Sequence, residues 1–307
     1  MDAISGALNA VRDSLGHIEA RLGEPMKNHT SFKIGGPVRA MFFPKSAEEL
    51  TELCAALFRF GITPFIMGNG TNLLVSDGTL DIVAVKMTGL SDIRLPGETE
   101  ITADSGVTLS TLAVFACGRG LKGLEFAHGI PGTLGGAVSM NAGAYGGEMK
   151  DVIYRTEALS AAMDGFSVTG GEHEFSYRHS RFSDAGDVIL SSVMRLEKSD
   201  PGEIRARMDD LAARRRESQP LNLPSAGSAF KRPESGYAAA LIEQAGLKGF
   251  TIGGAAVSEK HSGFIVNTGG ASFGDVLAVI GHVRETVFKL SGIELEPEVK
   301  IIRGDQT

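Results

Sequence analysis

GIPGTLGGAVSMNAGAYGG, residues 129–147, alternates glycine with Ile, Leu, Val and Met. A flexible linker would be polar and featureless. A stretch with this many apolar side chains must pack, and packed backbone needs hydrogen-bond partners. A long, flat cofactor lying against glycine backbone would supply them; the alternative is an unusual structural loop. Forty glycines in 307 residues exceed the usual share of about 7%, and they cluster here and in one earlier loop.

That earlier loop is Met67-Gly68-Asn69-Gly70-Thr71-Asn72-Leu73, directly after the apolar segment TPFI. Small residues let backbone N–H groups approach an anion, and Asn and Thr add donors, so the loop suits a diphosphate. Taken alone it reads equally as a plain turn. A dinucleotide fingerprint GxGxxG is excluded because Leu73 stands where the third glycine belongs. No GxxxxGK[ST] occurs either.

Outward from these loops the chain reads as mixed α and β. Ile4, Leu8, Val11, Leu15, Ile18 and Leu22 predict an amphipathic helix over residues 2–22. Strand, helix, strand, loop and strand follow through VRAMFFP, SAEELTELCAALFRFG, TPFI and DIVAVKM, with Ser46 and Glu49 forming a capping box and Gly61 a stop. Strand-like text recurs in ITADSGVTL, VIYRTEALSA, the HEFSYRHSRF region, DVILSSVMRLEK and ELEPEVKII. Helices are expected at 110–118, across IRARMDDLAARRRESQP, in SGYAAALIEQAGLKG and in ASFGDVLAVIGHVRETVFKLSG. The composition shift at SDPGE places the main boundary at 199. The expected domains are an N-terminal helix at 1–27, a cofactor-binding region at 28–198 split near 95, and a C-terminal region at 199–307.

A formal net charge of −7 disfavours nucleic acid and anionic membrane as partners, since both demand a basic face. Hydrophobic residues at 42% and charged residues at 22% exclude disorder and collagen-like structure. The N-terminus lacks the basic start and apolar run of a signal peptide. No run approaches the ~18 apolar residues of a membrane span, so a monomer in the cytoplasm is expected. Cys54 and Cys117 sit in apolar text without metal spacing and read as buried thiols; no metal is expected. His128 beside the long glycine stretch reads as a cofactor contact or as a structural histidine.

GNGTNLLVSD, GIPGTLGGAVSMNAGAYG, FSYRHSRF, PSAGSAFKRP and LEPEVKII occur in this order. Together they resemble the UDP-N-acetylenolpyruvoylglucosamine reductase family over about residues 28–304. The spacing is similar to that family's compact subtype, which lacks a substrate-capping insertion. The resemblance implies an α+β architecture: a vanillyl-alcohol-oxidase-type FAD-binding fold of two α+β subdomains with a C-terminal α+β substrate-binding domain. It implies FAD as cofactor, NADPH as electron donor and a sugar-nucleotide substrate. The implied reaction turns UDP-N-acetylglucosamine enolpyruvate into UDP-N-acetylmuramate during peptidoglycan precursor synthesis, with hydride passing from FAD N5 to C3 and a proton from Ser228 to C2.

Carried onto this chain, the resemblance assigns cofactor binding to Met67, Gly68, Asn69, Gly70, Thr71, Asn72 and Leu73, and to Gly129, Ile130, Pro131, Gly132, Thr133, Gly135, Gly136, Ala137 and Asn141. It assigns catalysis to Arg178, Ser228 and Glu298. The chemistry is reasonable residue by residue. Reduction at C3 leaves negative charge spreading into a carboxylate, and an arginine fork matches that group. A serine can protonate a basic carbanion-like carbon when geometry is prepaid. Absent the resemblance, Arg178 reads as a strand-end surface residue and Ser225 and Ser228 as turn caps. Spacing does not separate Glu298 from Glu296, which share a face with Lys300; the motif favours Glu298, either to hold Arg178 or the substrate carboxyl in register or to share the proton with Ser228. Tyr145, Tyr177, Gly227, Lys231 and Arg214 are expected at the substrate, the last as one of a basic group that also includes Arg205, Arg207, Arg215, Arg216 and Arg232. The rivals are an oxidase of the same fold, which would turn over with oxygen, and a non-catalytic nucleotide-binding protein, which would be colourless.

Overall fold

The computed structural model describes residues 3–304, so Asp2 of the expected first helix and residues 305–307 of the expected last domain lie outside the described residues. The chain forms two compact units. The first comprises Met1–Arg21, Ala40–Asn69 and Val83–Arg214; the second comprises Leu22–Arg39, Gly70–Ile82 and Arg215–Thr307. The expected boundary at 199 falls just before helix Pro201–Ser218, and the units divide inside that helix.

The first unit holds two hydrophobic cores. In one, helix α1 (Ala3–Ser14) and helix α2 (Ala47–Phe58) pack Leu8, Val11, Leu50, Leu53 and Leu57 against Ala40, Phe42, Val83 and Val85. Strand Phe65–Met67 runs parallel to Leu80–Lys86, pairing Phe65 with Ala84 and Met67 with Lys86, and so delivers the chain into the first glycine loop. α1 stops at Ser14, shorter than its periodicity suggested: Ser14 Oγ turns back onto the Val11 carbonyl and Gly16 follows. Ile18 is buried all the same, while Leu22, in strand Glu19–Leu22, is exposed. Ser46 caps α2 by accepting from Glu49 N, but Glu49 reaches back to the Lys45 N–H, one residue before the position a capping box uses.

The second core of this unit lies under a five-stranded antiparallel sheet in the spatial order 165–169, 153–159, 188–195, 100–104, 93–94. Helix α3 (Leu109–Gly118), capped by Thr108, and the short helix α4 (Leu134–Ser139) supply Leu109, Leu112, Ala113, Leu134, Ala137 and Val138 to it. The HEFSYRHSRF region is not a strand. It forms two 3-10 turns, Gly170–His173 and Arg181–Ser183, either side of a tight turn closed by Ser176 and His179.

In the second unit a four-stranded antiparallel sheet runs in the order 225–228, 264–267, 255–257, 251–252. Helix α5 (Pro201–Ser218), which belongs to the first unit as far as Arg214, begins on a proline, whose missing N–H is costless there. After helix α6 (Ala238–Gln244) comes helix α7 (Phe273–Ser291), opened by a Ser272/Asp275 capping box and closed by Gly292 at φ 70°. Its Val276, Val279, Ile280, Val283 and Val287 follow the 3.6 period and are buried. Only Lys300–Ile302 of the expected terminal strand forms, parallel to Leu73–Val75; Pro297, lacking an N–H, makes just an isolated bridge to Phe230 upstream of it. Cys54 and Cys117 are buried, and burial pushes the Cys54 thiol up to about 11. Among the described residues no helix is long and apolar enough to cross a membrane, and no His, Cys, Asp or Glu group is arranged to hold a metal ion.

Candidate active site

In the first unit Met67–Asn69, the start of the first glycine loop, lies beside the second loop. A Cβ added at Gly68 would collide with the Thr133 hydroxyl, so glycine is required for Met67–Asn69 to approach Gly132–Gly136. A Cβ at Gly135 would come 2.8 Å from Ser105 Cβ. Leu134 N and Gly135 N donate to the Val107 and Ser105 carbonyls, which pins the second loop. The N–H groups of Gly68, Asn69, Gly132 and Gly136 find no acceptor among the described residues, and none of these four residues is buried. Accessible backbone donors from two touching loops fit a diphosphate-bearing cofactor such as FAD. Ile130 and Pro131 lead into the second loop after Gly129. His128 Nδ1 is enclosed by protein and has no hydrogen-bond partner among the described residues. Gly70, Thr71, Asn72 and Leu73 belong to the second unit, where Asn72 donates its side-chain amide to the Glu298 carbonyl at 3.1 Å.

The first unit also brings two tight turns together. Gly143–Ala144 pairs with Gly147–Glu148, leaving Tyr145 and Gly146 as the two loop residues, at φ 53° and 88°. Positive φ at both positions is the signature of a type I′ turn, which usually takes Asn-Gly. The second turn is closed by reciprocal Ser176–His179 backbone bonds and carries Tyr177 and Arg178, the latter at φ 55°. Arg178 Nη2 donates to the Gly143 carbonyl at 3.2 Å, and its Cζ stands 5.1 Å from the centre of the Tyr177 ring. Tyr145 and Tyr177 are 39% and 46% exposed, although both carry large apolar rings. Strained backbone and exposed aromatics around one arginine mark a surface built to hold something.

Beneath these turns Asn141 is fully buried at φ 43°. Its Nδ2 donates to Glu148 Oε2 at 3.0 Å and to the Ser176 carbonyl at 2.9 Å, and its Oδ1 accepts from Lys150 N at 2.9 Å. Glu148 is held below the usual carboxylate range, chiefly by its bond to Lys150 and further by Asn141 and the Arg178 charge.

In the second unit the strand Ser225–Ser228 carries one extra residue against Phe264 and Val266, with Gly227 at φ 78°. Such a bulge re-aims the side chain that follows it, and Ser228 is exposed. Beyond it, Glu298 N donates to the Ala229 carbonyl and Lys231 N to the Glu296 carbonyl, so Ser228 and Glu298 lie on paired segments. Glu296 is exposed and its carboxylate meets Lys231 Nζ at 2.6 Å, whereas Glu298 is half-buried. Arg214, on α5, pairs with Asp210 one turn earlier at 3.0 Å. Sequence reading named Asn141 and Asn72 for the cofactor and did not single out Glu148; the bonds from Asn141 to Ser176 and from Asn72 to Glu298 span 35 and 226 positions, which no periodicity records.

The FAD binding domain family matches residues 38–165, and the C-terminal domain of UDP-N-acetylenolpyruvoylglucosamine reductase matches residues 219–302. The UDP-N-acetylenolpyruvoylglucosamine reductase of Caldanaerobacter subterraneus subsp. tengcongensis is 50% identical over 281 residues, which cover 92% of this chain and 93% of that protein. The enzyme of the same name from Clostridioides difficile is 43% identical over 287 residues, 94% of each chain. The crystal structure of the Thermus caldophilus UDP-N-acetylenolpyruvylglucosamine reductase superposes with a TM-score of 0.78 at 32% identity, covering 93% of this chain and 98% of that one. With α+β units, two touching glycine loops and these likenesses along nearly its whole length, the chain belongs to the UDP-N-acetylenolpyruvoylglucosamine reductase family of FAD-dependent oxidoreductases.

Proposed function

We propose that this chain reduces the enolpyruvyl double bond of UDP-N-acetylglucosamine enolpyruvate with NADPH as the electron source, giving UDP-N-acetylmuramate for peptidoglycan in the cytoplasm. The observation that carries the reading is the pair of tied turns, which presents Arg178 between two exposed tyrosines. FAD, when bound, would supply the redox chemistry that connects NADPH to C3 of the enolpyruvyl group. Met67–Asn69 and Gly129–Ala137 would hold that cofactor, with the N–H groups of Gly68, Asn69, Gly132 and Gly136 as the available backbone donors.

Everything else falls to the side chains. Charge arriving at C2 spreads into the adjacent carboxylate, and the Arg178 fork meets it with two N–H donors. Losing one such donor costs about 100- to 1000-fold in rate. The Ser228 O–H gives its proton to C2, and Glu298, on the neighbouring segment, shares that proton with the serine. Tyr145, Tyr177, Gly227, Lys231 and Arg214 are assigned to the sugar nucleotide. Residues 28–198 serve the cofactor and 199–307 the substrate, a division supported by the ranges of the two family matches.

Ser228→Ala tests the assignment. NADPH should still bleach the flavin at the parent rate, while reoxidation by the enolpyruvyl nucleotide should slow by about 100-fold or more, the scale of a lost general acid. Reoxidation at the parent rate would remove Ser228 from the reaction.

A further inference from the structure

The amide of Asn141 has no spare hydrogen. One Nδ2 hydrogen serves Glu148 Oε2, the other serves the Ser176 carbonyl, and Oδ1 is taken by Lys150 N. The side chain is completely buried, so a ligand could reach it only by breaking this set. What the set holds is the Ser176–His179 turn. The Ser176 carbonyl accepts from both His179 N and Asn141 Nδ2, which uses both its lone pairs. Arg178, the next residue but one, returns a hydrogen bond to Gly143, two positions along from Asn141. Turn and hairpin are therefore cross-tied, with the asparagine as one tie and the arginine as the other. Glu148 adds its charge to the same frame, since it is hydrogen-bonded to Asn141 and lies close enough to Arg178 for the guanidinium to lower its pKa.

We propose that Asn141 is a positioning residue that sets the Arg178 guanidinium for the enolpyruvyl carboxylate, and that its side chain is no ligand of the cofactor. The inference rests on the assignment of Arg178 to catalysis. Asparagine suits the place for two reasons: it tolerates φ 43° better than other side chains, and it alone offers two donors and an acceptor in so small a volume. Aspartate is isosteric but removes one of the Ser176 carbonyl's two donors and sets a carboxylate against Glu148. The turn then loses its anchor while the glycine loops keep theirs.

The experiment compares Asn141→Asp, Asn141→Gly and Arg178→Ala in the FAD-loaded protein. FAD affinity is read by fluorescence titration, and the two half-reactions are read separately by anaerobic stopped flow with NADPH and then the enolpyruvyl nucleotide. Asn141→Asp should leave FAD affinity and reduction by NADPH unchanged and slow reoxidation roughly 10- to 100-fold, the scale of an ångström's misplacement, with Arg178→Ala slow in the same step. Asn141→Gly keeps the backbone conformation and should behave alike, and it decides the matter if the aspartate variant does not fold. Weakened FAD affinity in either variant would make Asn141 a cofactor ligand and overturn the proposal. So would parent-rate reoxidation in both variants while Arg178→Ala is slow. Parent-rate reoxidation in Arg178→Ala would instead strike the catalytic assignment itself, and the Asn141 role with it.

Discussion

A methyl group at Gly68 has nowhere to go, because the Thr133 hydroxyl occupies its place. Gly68→Ala must push the two loops apart, and the backbone donors proposed for a diphosphate separate with them. The variant should fold, since Gly68 lies outside the hydrophobic cores, but purify with substantially less FAD per chain than the parent. Equal flavin content, read from absorbance against protein, would show that loop contact is not needed for the cofactor. His173 makes a second prediction at this scale. It is fully buried, its Nδ1 donates to the Gly170 carbonyl, and its Nε2 then accepts from Thr156 Oγ1. Burial lowers its pKa below 6.5, with Glu172 opposing and Arg181 adding to the shift. A lowered folded-state value means the unfolded chain takes up the proton first. Stability is thus retained above pH 6.5 and lost as pH falls below it, by at most about 1.4 kcal/mol per pH unit. Thermal melts at pH 7.5 and 5.5 should show a larger drop for the parent than for His173→Gln. Equal drops would rule out this histidine as the source.

Among the elements, the Tyr145-Gly146 turn sets a bulky aromatic residue where asparagine usually sits. Left-handed backbone costs a residue with Cβ about 1–2 kcal/mol, and asparagine pays less of it. Tyr145→Asn should therefore raise the melting temperature while raising KM for the enolpyruvyl nucleotide. A rise in stability with KM unmoved would mean that the strained tyrosine serves packing, not substrate. Elements such as this one explain where sequence reading stopped. Helices α2, α3 and α7 were legible because their cores follow the 3.6 period and their caps are local. α1 was overread because Ile18 keeps the helical phase after the helix has ended. HEFSYRHSRF looked like a strand because His173, Phe175 and Tyr177 alternate with Glu174, Ser176 and Arg178, yet two of these rings stack on each other across a turn, His173 on Phe175 at 4.8 Å. Its Ser176 carbonyl is tied to Asn141, 35 positions earlier, and a local pattern cannot carry such a tie.

Across the whole molecule, the two units are each assembled from three separate stretches of chain. A linear reading could find the motifs in order, and hence the family, but not which stretches fold together: loop residues Met67–Asn69 belong to one unit and Gly70–Leu73 to the other. The resemblance supplied candidate residues for the reaction, and the turns, the bulge at Gly227 and the Asn141 frame are the local structure around them. The central claim is that the FAD held by this chain passes its electrons to an enolpyruvyl ether. It is tested most directly by reducing the FAD-loaded protein with one equivalent of NADPH without oxygen and then mixing it with UDP-N-acetylglucosamine enolpyruvate. Return of the oxidised flavin spectrum with stoichiometric UDP-N-acetylmuramate is the expected result. Flavin that stays reduced until air is admitted would contradict it.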